Sequence, residues 1–262
     1  MANYIKSEVL AEAYTHLEID LYNDKVRLEQ LKTELTNFFQ ERASFLFETS
    51  VEIKVEFEEG SLKTKIIAFG SAASVLTSVV AGYGDFRQSV VQLADDAASL
   101  AQSANLEVVF RTKTPYCDRL RIEKRKGVFG RVAALIGELD NVSEKVSDTR
   151  IPINRVRLHH ADDAIDALIT WDGHVDKLFA KFDTPDTSAC VASGLIKELD
   201  KMPKSFPWTK ELSGSEFTTH IVDSDTSYSA HVAATVARYE SALKLVKKKM
   251  KGRASIQVAK GD

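Results

Sequence analysis

Cysteine is nearly absent: Cys117 and Cys190 are the 2 in 262 residues. Neither belongs to a CxxC pair, and a secreted disulfide framework needs more, so both read as reduced thiols of a cytosolic compartment. Proline is scarce, with 5 residues, and none falls between positions 4 and 48, so nothing there forbids a long helix. The first residues, MANYIKSEVLAEAY, lack an apolar signal core, which argues against a secretory signal. There is no nucleophile elbow, P-loop, Rossmann fingerprint or zinc signature. KGVFGR lacks the GxxxxGK spacing followed by Ser or Thr. These absences favour a non-enzyme with no catalytic residue, cofactor or metal. A net charge of −3 gives no general affinity for nucleic acid. No internal repeat or low-complexity tract is present.

What is there centres on Ile66–Tyr83, IIAFGSAASVLTSVVAGY, about 18 uncharged residues between Lys65 and Asp85. Two readings fit: a membrane-spanning helix at the lower length limit, or a helix buried on all sides in a soluble core. Gly70, Ser74, Ser78 and Gly82 recur every four residues, with Ala73, Thr77 and Ala81 beside them. On one helix, such small residues let backbones approach closely, which is how membrane helices pack.

Around this stretch the chain reads as helix-rich α+β. Residues 4 to 48 keep three- and four-residue apolar spacings, from Val9 and Ala13 to Leu35 and Phe38. They predict one long helix or a helical hairpin broken near Asn23-Asp24. It either drives self-association or folds back on its own domain. Val51, Ile53, Val55 and Phe57 alternate with Glu52, Lys54, Glu56 and Glu58, a half-solvated strand. Glu59-Gly60-Ser61 reads as a turn, and Leu62 to Ile66 as the returning strand of a β-hairpin. Asp85 is placed to cap a helix running to about Ala104, and Leu106 to Thr112 reads as β-like. A mixed α/β body follows. It has a helix from Val132 to Val146, a linker into a short strand over 148–158, a short helix near Cys190 to Leu199, a helix from Ser224 to Met250, and an edge strand over 255–259. The divisions expected are 1–50 for oligomerisation, 51–110 for the hairpin and apolar helix, and 111–262 for a cytosolic body.

Three clusters carry chemistry-bearing side chains. Arg119, Arg121, Lys124, Arg125, Lys126 and Arg131 concentrate positive charge ahead of a helix, an anion or phosphate site or else a solvated loop. With Tyr116 and Phe129 at its margins, the anion expected is a nucleotide or single-stranded nucleic acid. Lys247, Lys248, Lys249 and Lys251 either add to it, contact acidic lipid, or complement their own helix C-terminus. His159, His160, Asp162, Asp163, Asp166, Asp172, His174 and Asp176 are residue types of zinc and manganese sites, although acids crowding a helix's first turn also suit its dipole. Asp95-Asp96 reads as a solvated pair, with acid–base work as the alternative.

The Glu59-Gly60-Ser61 turn, the small-residue apolar helix and Tyr83-Gly84-Asp85-Phe86-Arg87 leading to Asp95-Asp96 together resemble uncharacterised bacterial proteins of antiphage-defence operons, some of which look like membrane effectors. The resemblance covers residues 50 to 105. It implies a channel-forming or membrane-disrupting effector controlled by an operon partner protein or a nucleotide signal, and assigns no site residue. The sequence thus predicts a homo-oligomeric membrane effector of the bacterial inner membrane with a cytosolic body, gated by an anionic ligand. The alternatives are a soluble, cytoplasmic ligand-binding or scaffold protein, and a metal-dependent hydrolase.

Overall fold

The computed structural model describes residues 8–58, 61–148, 155–209 and 226–255. The chain divides into two units, Met1–Ala133 with Phe182–Cys190, and Ala134–Lys181 with Val191–Asp262. The class is helix-rich α+β, as its patterning predicts.

The first unit is built on an antiparallel sheet of order β2-β3-β1-β4. Strand β1 is Glu8–Leu17, so the first part of the expected helix is a central strand. Its buried residues Ala11, Ala13, Thr15 and Leu17 keep a period of two. Glu, Ala and Leu are helix formers, but pairing with β3 on one side and β4 on the other overrides that preference. A bulge between Val9 and Ala11 shifts the register and leaves Leu10 fully buried. Residues 4–7 of the expected helix lie outside the described residues.

Helix α1, Lys25–Phe47, follows the break anticipated near Asn23-Asp24. The Asp24 carboxylate accepts from Arg27 N–H at 3.1 Å, an N-cap. Its buried row, Leu31, Leu35, Phe39, Ala43 and Phe47, steps by four and packs on β2 and α3 of its own unit. Strands β2, Val51–Glu58, and β3, Leu62–Gly70, pair along their length; Glu59 and Gly60 of the expected turn lie outside the described residues.

The apolar stretch is therefore not one helix. Residues up to Gly70 belong to β3, whose Ile66 and Ala68 face the core. Ser71 then caps α2, Ala72–Tyr83, accepting from Ser74 N–H at 3.2 Å. The 12 residues of α2 span about 18 Å, against a hydrocarbon core of about 30 Å. Among the described residues, no helix is long and apolar enough to cross a membrane. This overturns the membrane-effector reading and, with it, the expected transmembrane helix, ion channel and inner-membrane placement. The sequence misled because uncharged residues of a buried strand and of a short packed helix run together without a charge between them.

A buried polar cluster fixes the start of α2. Ala72 N–H donates to Glu8 at 3.2 Å, Ala73 N–H donates to Thr187 at 3.2 Å, and the Thr184 hydroxyl donates to Glu8 at 2.8 Å. Helix α3, Phe86–Thr112, is capped by Asp85 as expected, with Gln88 N–H donating at 3.0 Å. It continues through the segment read as β-like, because nothing between 105 and 112 breaks a helix already propagating. The helix stops at Lys113, whose φ is 53°. After a 3-10 turn at Tyr116–Asp118 comes β4, Arg119–Arg125. Gly127 opens α4, Gly127–Ser147, with φ +57°. A Cβ at Gly127 would run into the carbonyl oxygens of Val9 and Leu10 on the bulge.

The second unit is helical. It holds most of α4, then α5, Arg155–Phe179, the later part of α6, Pro185–Lys201, and α7, Thr226–Ala254. Buried Trp171 of α5 donates its indole N–H to Leu135 O at 2.8 Å. Tyr239 of α7 donates to Pro203 O at 2.7 Å and packs its ring, tilted by 48°, against Phe206, and burial pushes its hydroxyl pKa far up. Of the expected linker and short strand, residues 149–154 lie outside the described residues and Leu158 is in α5. Residues 210–214, 224–225 and 256–259, the latter expected as an edge strand, also lie outside.

Candidate functional site

The basic stretch anticipated as a ligand site lies mostly on β4. Alternation puts Arg121, Glu123 and Arg125 on one face, opposite His16, Tyr14 and Glu12 of β1. Arg121 pairs with Glu123, and Arg125 pairs with both Glu12 at 2.7 Å and Glu123 at 2.8 Å. The Arg125 hydrogen bond, then the Arg121 charge, holds the half-buried Glu123 carboxyl below its ordinary value against its desolvation. Lys126 pairs with Asp95 at 3.1 Å. Arg119 donates to Thr114 O at 3.3 Å and lies over the Tyr116 ring. Lys124 and Arg131 are exposed, the first on the strand and the second on α4. The six cations are thus divided between two strand faces, the junction at Lys126 and a helix. Among the described residues acids meet Arg121, Arg125 and Lys126 directly.

Gly70, Ser74, Ser78 and Gly82 do not share a helix. Gly70 ends β3, where a Cβ would come within 2.8 Å of Leu10. Ser74, Ser78 and Gly82 lie on the exposed side of α2, while Val75 and Leu76 face the core. Of the aspartate pair on α3, Asp95 holds Lys126, and Asp96 accepts from Gln92 at 3.0 Å. Desolvation raises the Asp96 pKa, with the Asp95 charge adding to it.

The His159 to Asp176 cluster falls on α5, spread around it. His159 and His160 are exposed, Asp162 pairs with Arg238 at 2.9 Å, and His174 bonds Glu138 at 2.9 Å. Asp172 and Asp176 both hold Lys249, at 2.9 and 2.6 Å, and Asp176 also holds Arg253. Burial alone would lower the Lys249 pKa; the Asp176 and Asp172 hydrogen bonds outweigh it, and the net shift is upward. Among the described residues no three His, Cys, Asp or Glu side chains converge as a metal site. These acids bind α7 to α5.

The opposite side of α7 is different. Lys244, Lys247, Lys248 and Lys251 line an open groove of about 630 Å³ together with Glu240 and Leu243. Positions 240, 243, 244, 247, 248 and 251 follow the three- and four-residue steps of one helix face. Lys204, from outside the helix, lines the same groove. Lys247 pairs with Asp200 at 3.0 Å. Lys204, Lys244, Lys248 and Lys251 make no ion pair among the described residues. From the sequence, Lys247, Lys248, Lys249 and Lys251 were expected together; Lys249 turns instead to Asp172 and Asp176, and Lys244 and Lys204 join the other three on the groove. Helical spacing carries the signal for Lys244; nothing local signals Lys204.

None of the family models, curated proteins or solved structures compared with this chain matches it.

Proposed function

We propose that this is a binding protein, not an enzyme, whose α7 groove holds a phosphate-bearing polyanion. The carrying observation is that five lysines converge on one open groove, four of them without an acid partner among the described residues. Lysines in the last turns of a helix also answer its dipole, but Lys204 does not belong to α7 and faces the same space. The groove volume is in the range of small-ligand sites. Among the described residues no aromatic side chain lines it, so charge recognition of phosphates fits better than base stacking. Nucleotides and short single-stranded nucleic acid both present that chemistry.

The test titrates labelled oligothymidylate and, separately, inorganic tripolyphosphate at two salt concentrations. Lys244→Glu with Lys248→Glu should weaken binding of whichever probe fits by about 30-fold, taking about 1 kcal/mol per lysine. Arg121→Glu with Arg125→Glu should change it by less than about threefold, because acids already hold both arginines. Binding of neither probe, or equal loss in both double variants, overturns the proposal.

A further inference from the structure

We infer that the outer edge of β4 and the adjoining flank of α3 form a two-fold interface with a second copy of this chain. Strand β4 ends the sheet, and among the described residues no strand pairs with its other side. Beside it the surface is unusually apolar. Leu106 is 54% exposed, Phe110 77%, Leu120 51% and Ile122 42%. Side chains of this size in one place mark an interaction surface; scattered ones do not.

The register brings these residues together. Ile122 sits opposite Thr15, so it lies on the sheet face that α3 covers. There Thr15 donates its hydroxyl to Asn105 of α3 at 2.6 Å, and Asn105 donates to Glu123 O at 2.8 Å. Leu106 follows Asn105, Phe110 is one turn further along α3, and Leu120 shares the face of Ile122. The other sheet edge does not match this. Val51, Ile53 and Val55 of β2 are buried, α1 packs on the strand, and β2 exposes no large apolar side chain.

The partner follows from the sequence of β4 itself. An antiparallel pair of β4 strands centred on Ile122 sets Ile122 against its own copy and Leu120 opposite Lys124 on the α3 side. On the other face it sets Arg121 opposite Glu123, twice, by symmetry. Faces are kept, because a two-fold axis perpendicular to the sheet carries each face onto itself. Arg119 falls opposite Arg125, which is unfavourable, but Arg125 already holds Glu12 and Glu123 and Arg119 is bonded to Thr114 O. The result is one continuous sheet with Leu106 and Phe110 of the two α3 helices facing each other. This interface is independent of the lysine groove.

Sedimentation of the full chain from about 1 to 100 μM should show a monomer–dimer equilibrium. Ile122→Glu and Phe110→Asp should each raise the dissociation constant at least tenfold. Circular dichroism, and melting at a concentration low enough to keep the chain monomeric, should stay unchanged, since both side chains are exposed in the monomer. With Cys117→Ser and Cys190→Ser in place, Ile122→Cys should oxidise to a covalent dimer, and Lys54→Cys on β2 should not. A monomer throughout the range overturns the inference, whether the patch then serves another protein or is covered by the chain itself. A dimer indifferent to both substitutions, or crosslinking equally at position 54, also overturns it.

Discussion

Strand β4 and the last turns of α7 carry similar densities of positive charge and hold it in opposite ways. On β4, Glu123 lies between Arg121 and Arg125 and on their face, because a strand returns to the same face every second residue. Glu12 of the neighbouring strand completes the neutralisation. On α7, neighbours two apart point to opposite sides, so the run divides. Lys249 and Arg253, four apart, meet Asp172 and Asp176 of α5, while Lys244, Lys248 and Lys251 are left on the groove. A charge run becomes a site only where the geometry separates it from acids, and the period of the element decides that.

The comparison breaks most severely if the scaffold of one side is removed. Gly127 is at φ +57°, where a β-branched residue is strained, and a Cβ there collides with the bulge carbonyls of β1. Gly127→Val should cost about 3 kcal/mol or more, read as a fall in the denaturant midpoint. Unchanged stability would mean that the close approach of α4 to β1 does not hold the strand register that pairs Arg125 with Glu12.

Counter-ions on α5 give a smaller effect with a pH signature. The Lys249 hydrogen bond, then that of Arg253, holds the Asp176 carboxyl below its ordinary value, and partial burial opposes them. A depressed folded pKa contributes stability that is present above the unfolded value, near about 4, and is lost as pH falls through the folded one. Asp176→Asn should therefore cost about 0.5 to 1 kcal/mol at neutral pH, a surface-type value because the carboxylate is half exposed. The difference from the unsubstituted protein should vanish at the acid end of a melting series. A gap that persists at low pH would assign the effect to packing.

The smallest effect sharpens the contrast most. Glu123→Gln leaves Arg121 and Arg125 in place and removes the acid between them. The denaturant midpoint should stay where it is. Oligothymidylate affinity should rise about two- to threefold, as strand charge becomes available. No change in affinity would show that counter-ions are not what separates β4 from the groove.

Much of the fold was legible where one signal acted alone. The alternation of β2, the break at Asn23-Asp24 and the Asp85 cap needed only neighbours in sequence. Strand β1 was hidden because Val9, Ala13 and Leu17 satisfy a helical spacing while Ala11, Ala13, Thr15 and Leu17 satisfy a strand's, and only its two partners decide. The apolar stretch was misread across Ser71, whose capping role divides strand from helix and is the one local sign that the run is two elements. Three of the groove's five lysines, Lys247, Lys248 and Lys251, were legible as candidates. Their division into held and open faces was not, since it depends on Asp172, Asp176 and Asp200, far away in sequence.

The cluster under α2 has a consequence for how the chain is made. Glu8 emerges from the ribosome 176 residues before Thr184, and Ala73 emerges 114 residues before Thr187. At roughly 5 to 20 residues per second, the carboxylate waits on the order of ten to thirty seconds for its hydroxyl partner. Until then the first unit has its strands but not the threonines that complete the head of α2. Its last step of assembly is thus tied to translation of the helix pair between them, and a nascent chain halted before position 184 would display an unfinished, chaperone-accessible end of α2.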